Sequence, residues 1–460
     1  MLKGKSVIEL TDIRTNKKEI YNDENLITNA VPDLLRLNPS GLMYPIIAGR
    51  ELAFSQEIFP IVNKLYGGIL LFEDPLEEDV NNIIPPSDNS IIGYASDNIN
   101  STDNSLRGSA NLNESSNIEG GYKFVWDFST SQANGKISSI ALTHYRAGRF
   151  YYGNSYSRNA YLRLNFTQTE TTNEVLKAYL GLVEANTEKN IIISMWPKDN
   201  KTVEILKFRE AYSSIGLTDT ILDNRFQKIE NISIDISEFF KDFGTDNTCC
   251  FYDGKDGYWY GFITSYYMNS GLIGRVKIDK KDYSTKIDRW NLKDFRFHNV
   301  GKYDPYNSNQ PRRSIMSVIK NGYLYAISRD STKVYKININ NPVDASIIDL
   351  GFRSDFFTGG SAHMYHWGDH ILGYDFQITK NDKVIKNYGK NYNGADIDYL
   401  STPTVDMGPL VVGYGSSADF LYKNIYLHTP YLGTINNLSS PILKTADKTM
   451  KITYTLTEEE

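Results

Sequence analysis

Apolar and polar residues alternate along much of this chain with the period of two that marks strands. Gly257-Tyr258-Trp259-Tyr260-Gly261-Phe262-Ile263 is followed, past a polar turn, by Arg275-Val276-Lys277-Ile278-Asp279. Gly322-Tyr323-Leu324-Tyr325-Ala326-Ile327 is followed in the same way by Lys333-Val334-Tyr335-Lys336-Ile337-Asn338. Weaker copies begin at Asn190, with Thr202 to Leu206, and at His370, with Lys383 to Ile385; another begins at Leu410. The copies start about 40 to 70 positions apart, the period of a propeller blade with insertions. One such hairpin cannot bury its apolar face alone, whereas several arranged radially can and leave only short edges exposed. The pattern predicts a β-propeller over residues 154–427.

The pattern differs on either side of the repeats. Ser6 to Leu10 and Lys18 to Tyr21 alternate around the turn Arg14-Thr15-Asn16-Lys17 and predict a hairpin. Leu26, Ala30, Val31, Leu34, Leu35 and Leu37 have helical spacing. Pro32 fits a helix only in its first turn, so the regular helix should start near Ala30. Phe59 to Leu65 reads as another short helix, and Leu71 to Pro75 as a strand leaving the core. Glu77 to Glu119, rich in Asp, Asn, Ser and Pro, reads as long surface loops. Tyr122 to Phe128 and Ile137 to Thr143 read as strong strands. Asn134-Gly135 between them suits a tight turn that would pair the two antiparallel. Trp126, Phe124 and Phe128 share one face, and core packing is the first reading of that stripe. Met450, Ile452, Tyr454 and Leu456 alternate with Lys451, Thr453, Thr455 and Thr457. That one-sided strand needs a sheet to join. The expected architecture is therefore mainly β, with a few short helices. A β-propeller is inserted between the halves of a β-sandwich formed by residues 1–153 and by strands returning from 428–460.

Length and composition fit this picture. The 460 residues suffice for two or three domains, and 40% hydrophobic residues supply their cores. Aromatics reach 13%, with 33 tyrosines, which favours strands and contact surfaces. A net charge of −6 without a basic stripe gives no sign of nucleic-acid binding. No apolar run near Met1 resembles a signal peptide, and Ile69 to Phe72, the longest strongly apolar run, is too short to cross a bilayer. Cys249 and Cys250 are adjacent, so a bridge between them would be strained, and both read as thiols beside a strand.

Three segments carry a resemblance. Trp126-Asp127-Phe128-Ser129-Thr130-Ser131-Gln132-Ala133-Asn134-Gly135 through Thr143 is one; Ile8 through Ala30 and Ile435 through Thr457 are the others. They resemble tail proteins of phages and phage-tail-like bacteriocins of low-GC Gram-positive bacteria. The resemblance covers roughly the first third and the last tenth of the chain and brings no catalytic signature with it. It implies a tail or baseplate component that meets other tail proteins through its attachment domain, in several copies per particle. It further implies synthesis in the bacterial cytoplasm without a signal peptide, action in an extracellular particle and no membrane insertion.

Residues that could carry chemistry are few. His363, His366 and His370 form an H-x2-H-x3-H cluster, but Tyr365 to Asp369 read as a hairpin whose turn would scatter the ligands. Tyr252 to Trp259 invites comparison with sialidase aspartate boxes and calcium loops, yet its glycine and aromatic are out of register for the first and its carboxylates too few for the second. A turn entering a blade strand fits better. Arg312-Arg313 is a local basic pair that could meet an anionic polymer, with a solvated loop as its plain reading. No nucleophile elbow, phosphate loop, zinc spacing or glycosidase carboxylate pair stands out. The expectation is a protein without catalytic residues, metal or cofactor. Its propeller presents Tyr266, Tyr267, Tyr365 and Trp367, at or near turns, to a host-surface glycopolymer or protein. A tail-associated glycan depolymerase and a purely structural baseplate decoration are the alternatives.

Overall fold

The computed structural model describes residues 2–36, 61–86, 89–96, 104–149, 161–168, 181–186, 191–210, 226–265, 270–302, 312–354, 364–368, 370–373, 375–386, 401–417 and 420–458. The chain is mainly β and forms two compact units. One comprises Met1–Leu37, Ala48–Leu162 and Leu427–Glu460; the other comprises Asn38–Ile47 and Arg163–Tyr426.

The first unit is one ten-stranded sheet. Its order is Ile91–Ala95, Gly68–Phe72, Gly135–Thr143, Thr434–Lys444, Lys18–Ile27, Leu2–Asp12, Lys448–Glu458, Gly121–Phe128 and Ser109–Ala110, with Ser116–Ile118 also pairing Gly121–Phe128. The sheet curls until its ends meet. Tyr94 N–H donates to Leu106 O, and Gly108 N–H donates to Tyr94 O, each at 2.9 Å. The two layers of the expected sandwich are thus opposite walls of a nearly closed barrel, which leaves little edge unpaired.

Alternation places the core. In Lys448–Glu458, Met450, Ile452, Tyr454 and Leu456 are buried and the residues between them are not. This strand pairs antiparallel with Leu2–Asp12 on one side, Ile452 opposite Ile8, and with Gly121–Phe128 on the other, Ile452 opposite Trp126. The C-terminal strand is therefore a central member of the N-terminal sheet. Trp126 is buried, stacks on Phe124 with centroids 5.5 Å apart, and donates its Nε1–H to Gly67 O at 3.1 Å. The first hairpin forms as its alternation predicts; Asp12 Oδ1 accepts the N–H groups of Arg14 and Thr15, and Asn16 takes the left-handed conformation. Short helices occupy Ala30–Arg36, with Pro32 in the first turn, and Ile61–Leu65.

Two local readings are corrected. Gly121–Phe128 and Gly135–Thr143 do not pair with each other; their partners are Lys448–Glu458 and Ser109–Ala110 for the first, Gly68–Phe72 and Thr434–Lys444 for the second. The link between them is bound elsewhere: Ala133 N–H donates to Ser105 O, and the Gln132 amide donates to Arg107 O. An Asn-Gly dipeptide supplies the turn geometry but cannot choose the partner strand. The stretch expected to be loops, Glu77 to Glu119, contains three short strands, Ile91–Ala95, Ser109–Ala110 and Ser116–Ile118, held by the barrel rather than by their own weak propensity.

The second unit is a β-propeller. Four antiparallel sheets use strands consecutive in the chain: Leu182–Asn186 to Phe226–Asp235, Phe251–Asp253 to Thr285–Asn291, Ser317–Lys320 to Ala345–Asp349, and Tyr365–Trp367 to Val384–Lys386. A fifth sheet joins Ser401–Met407, Leu410–Ser417 and Phe420–His428 to Tyr161–Gln168, the strand that precedes all the others. The ring is thereby locked by pairing its first strand with its last blade. The innermost strand of each blade packs beside that of the next, and Ser401–Met407 packs beside Leu182–Asn186, which closes the circle. Residues of Tyr258–Thr264 alternate between neighbours: Trp259 and Ile263 join the core shared with the first blade, Tyr260 and Phe262 the core shared with the third. That two-sided burial explains why the repeated phrase is apolar almost throughout.

In the fourth blade, His370–Leu372 pairs with Tyr365–Trp367 and Phe376–Ile378, and Val384–Lys386 lies one strand further out. The hairpin read between His370 and Ile385 thus contains an unread strand. Arg312-Arg313 is not a solvated loop; Arg312–Ile315 pairs with Asn299–Lys302, and Arg313 O accepts Thr248 N–H at 2.8 Å. Cys249 and Cys250 are buried and not joined in a disulfide, just before Phe251–Asp253. Among the described residues no helix is long and apolar enough to cross a membrane.

Candidate functional site

The inner strands of all five blades converge on a small depression at the axis of the propeller. Its walls are apolar where Val183, Val318, Met364 and Val405 line it. Its polar groups are Asp253, Lys255, His366 and Asp406. Each comes from an inner strand near its C-terminal end or from the turn that follows. Asp253 ends Phe251–Asp253, and its carboxylate accepts Lys255 N–H at 2.8 Å, fixing a turn in which Lys255 and Gly257 have positive φ. The expected turn at Tyr252 to Trp259 is therefore present.

The charges are paired. His366 Nδ1 lies 2.9 Å from Asp406 Oδ2, which also accepts the N–H of Gly368 at 3.0 Å. Asp406 Oδ1 is buried with no donor. The pair ties the fourth blade to the fifth. Burial, the strongest influence on His366, pushes its pKa down; the charge of Asp406 and their hydrogen bond outweigh it and leave the imidazole above its ordinary value. Asp253 meets Lys280 at 2.7 Å and Lys255 at 3.3 Å. Burial pushes its carboxyl up, but hydrogen bonds from Lys280 and the Lys255 backbone, with both lysine charges, hold it below the usual range. Lys280 also pairs with Glu184 of the first blade, whose Oε1 accepts Trp259 Nε1–H at 2.5 Å. The Lys255 side chain is 73% exposed, and those of Asp253, His366 and Asp406 are 10%, 25% and 21% exposed.

Of the four aromatic residues expected to contact a target, only Tyr365 has a described side chain. Tyr365 is buried at 2% exposure, so the inner-strand position withdraws its ring from any ligand; this corrects its expected presentation at a turn. Trp367 ends the same strand opposite His370, and its side chain lies outside the described residues. Tyr266 and Tyr267 also lie outside them. The histidine cluster separates. Because Trp367 faces His370 across the hairpin, His366 lies on the opposite face. His370 is buried, with Nδ1 2.5 Å from Gln377 Nε2, and His363 lies outside the described residues. Among the described residues no group of His, Cys, Asp and Glu could hold a metal ion.

Asp406 was not legible in the sequence, because nothing local sets it apart from other turn aspartates, and Asp253 stood out only as part of the turn Tyr252 to Trp259. The usable signal is positional: they lie at the end of the short strand just before each repeated phrase. Many tyrosines have structural roles instead. Tyr260 and Tyr325 hold equivalent places in the repeat; the first donates its hydroxyl to Asp256 at 2.6 Å, the second to Asp382 at 3.1 Å. Lys277 and Lys336, likewise equivalent, lie over the rings of Tyr258 and Tyr323 at 3.7 and 4.7 Å.

No family model matches the chain, and no curated protein matches it. Among solved structures, it is similar to prolyl oligopeptidase B from Galerina marginata at 8% identity and a TM-score of 0.24, over 89% of this chain and 56% of that one. It is similar to polysaccharide lyase Uly1 at 10% identity and a TM-score of 0.20, over 82% and 100% of the two chains. It is also similar to AztD of Citrobacter koseri at 7% identity and a TM-score of 0.20, over 96% and 99%. The chain thus spans little more than half of the oligopeptidase. Likenesses at these scores carry no argument about what this chain does.

Proposed function

We propose that this protein is a non-enzymatic component of a phage tail or phage-tail-like particle. In this reading the barrel attaches to neighbouring tail or baseplate proteins, and the propeller binds a polymer or protein of the host surface. One observation carries the reading. The strands of the propeller all lie in the stretch of chain between Gly135–Thr143 and Thr434–Lys444, which are hydrogen-bonded neighbours in the barrel. Such a barrel can keep its attachment role while the inserted unit sets the target, and rigid strands bearing loops suit recognition. The resemblance of the barrel segments to tail proteins points the same way.

The depolymerase alternative is weaker on chemical grounds. A general acid for glycoside cleavage needs a raised pKa, whereas the lysines hold Asp253 low. Weak single sites would add up through avidity when several copies share one particle. The test uses the full chain, displayed as a multimer and incubated with walls of susceptible bacteria. Cosedimentation with the walls, without release of reducing sugar, is the expected result. Failure to bind any susceptible wall sinks the receptor role, and sugar release that one Asp or Glu substitution abolishes sinks the non-enzyme reading.

A further inference from the structure

We infer that Lys444 and Asn134 form a covalent modification site of the barrel, at which the lysine amine displaces ammonia from the asparagine amide and leaves an isopeptide cross-link. The two residues meet across a ladder. Lys444 lies opposite Gly135 in the pairing of Thr434–Lys444 with Gly135–Thr143, and its Nζ donates to Asn134 Oδ1 at 2.8 Å. The amide is held at its other end as well, because Asn134 Nδ2 donates to Thr130 O at 2.9 Å. Lys444 Nζ reaches that same carbonyl at 3.5 Å. The lysine is only 1% exposed, and its partners are these two neutral oxygens. An ammonium group buried in such company is poorly compensated for the water it has lost. Burial pushes Lys444 down to about 8, with the charge of Asp447 opposing. A large share of the amine is then neutral, and hence nucleophilic, in mildly alkaline solution.

The neutral Nζ attacks Asn134 Cγ, one bond beyond the oxygen it already touches. The Nζ–Cγ bond forms, the Cγ–Nδ2 bond breaks, and the proton shed by Nζ leaves with Nδ2 as ammonia. Nothing is oxidised or reduced, and no co-reactant enters. Holding amine and amide together makes the step intramolecular, which removes much of its entropic barrier. An Asn-Gly dipeptide offers a second nucleophile, the Gly135 backbone nitrogen, whose attack on the same carbon gives a succinimide. The contact at 2.8 Å favours the lysine, since Gly135 is held in the ladder opposite it. The cross-link would close the far end of this strand pair. The chain leaves and returns beside Leu142 and Gly433, whereas Gly135 and Lys444 end the ladder on the other side. Strands pulled apart from the exit would separate toward Lys444 and stop there, so local opening could not spread into the barrel.

Mass spectrometry of the full chain, folded and kept in mildly alkaline buffer, checks the site. A species lighter than the sequence mass by one ammonia should accumulate. Its tryptic digest should contain residues 124–136 joined to residues 424–448, uncut after Lys444. Asn134→Ala and Lys444→Arg should each abolish that branched peptide. Asn134 is exposed, so its variant tests the site even if the bulkier guanidinium of Lys444→Arg disturbs the barrel. A full chain that keeps its sequence mass overturns the inference. An ammonia loss confined to a linear peptide 124–136 also overturns it, because the nucleophile is then Gly135. A branched peptide that persists in Asn134→Ala overturns it as well, by placing the acceptor elsewhere. Cross-linking is independent of what the propeller binds, so this test and the wall cosedimentation fail separately.

Discussion

His366 makes the stability of the propeller depend on pH in a direction that follows from its pairing with Asp406 at 2.9 Å. Its pKa in the folded protein lies above the ordinary 6.5, because Asp406 outweighs the effect of burial. A raised pKa means that the folded state binds the proton more tightly than the unfolded one. The contribution is fully present below about pH 6.5 and is lost as pH rises through the folded value. Lys255 and Lys320 oppose the charged form, and Asp253 shares the depression with it. Thermal unfolding of the full chain and of His366→Gln, compared from pH 5 to 8.5, should show the largest gap at acid pH, about 1.5–3 kcal/mol. A gap independent of pH would mean that the imidazole is not charged in the pair. Single residues of this kind were the least legible part of the sequence. His366 stood out only as a metal candidate, and what gives it a partner is a strand 40 positions further on (366 to 406), brought beside it by the closure of the ring.

Elements were far more legible, because strand alternation is a local signal that burial on one face enforces. Lys448–Glu458 is the clearest case: four apolar residues in period two required a sheet, and the strand sits in the middle of one. Pairing was legible only where the partner's own pattern narrowed the choice. Between Phe128 and Gly135, six residues could close a hairpin or cross to another wall, and hydrogen bonds to Ser105 and Arg107 decide for the second. Ile452 is fully buried between Ile8 and Trp126. Ile452→Ala should therefore cost about 2–5 kcal/mol, the usual range for such a truncation in a core. Hydrogen exchange resolves where the loss falls. Protection should drop in both flanking strands, Leu2–Asp12 and Gly121–Phe128, and stay unchanged in Tyr258–Thr264 of the propeller. Equal loss in both units would show that they unfold as one, contrary to the separate cores.

At the scale of the whole molecule, the insertion was legible because its two signals lie far apart in the chain: repeats in the middle, and barrel strands at both ends that have no other sheet to join. The number of blades and the axial site were not, since both depend on Tyr161–Gln168 pairing with a strand some 260 positions later and on five inner strands meeting at a point. The topology makes a strong prediction about independence. The chain leaves the barrel after Gly135–Thr143 and returns in Thr434–Lys444, where Asn436 lies opposite Ile140, and Gly433 N–H donates to Leu142 O at 2.7 Å. Every barrel strand finds its partners within the unit, and Thr28 reaches across to Leu432 O to brace the returning segment. Replacing residues 163–426 with a short Gly/Ser linker closes a loop whose entropic cost grows only slowly with length. The shortened protein should fold, melt in a single cooperative transition and retain the near-ultraviolet circular dichroism of buried Trp126, its sole remaining tryptophan. On the proposed function it should also lose all binding to bacterial walls, because the inserted propeller is gone. A soluble, folded barrel that still binds walls would move the recognition function to the first unit. A barrel that does not fold would show that the propeller is part of its core, and the division into an attachment unit and an inserted recognition unit would fall with it.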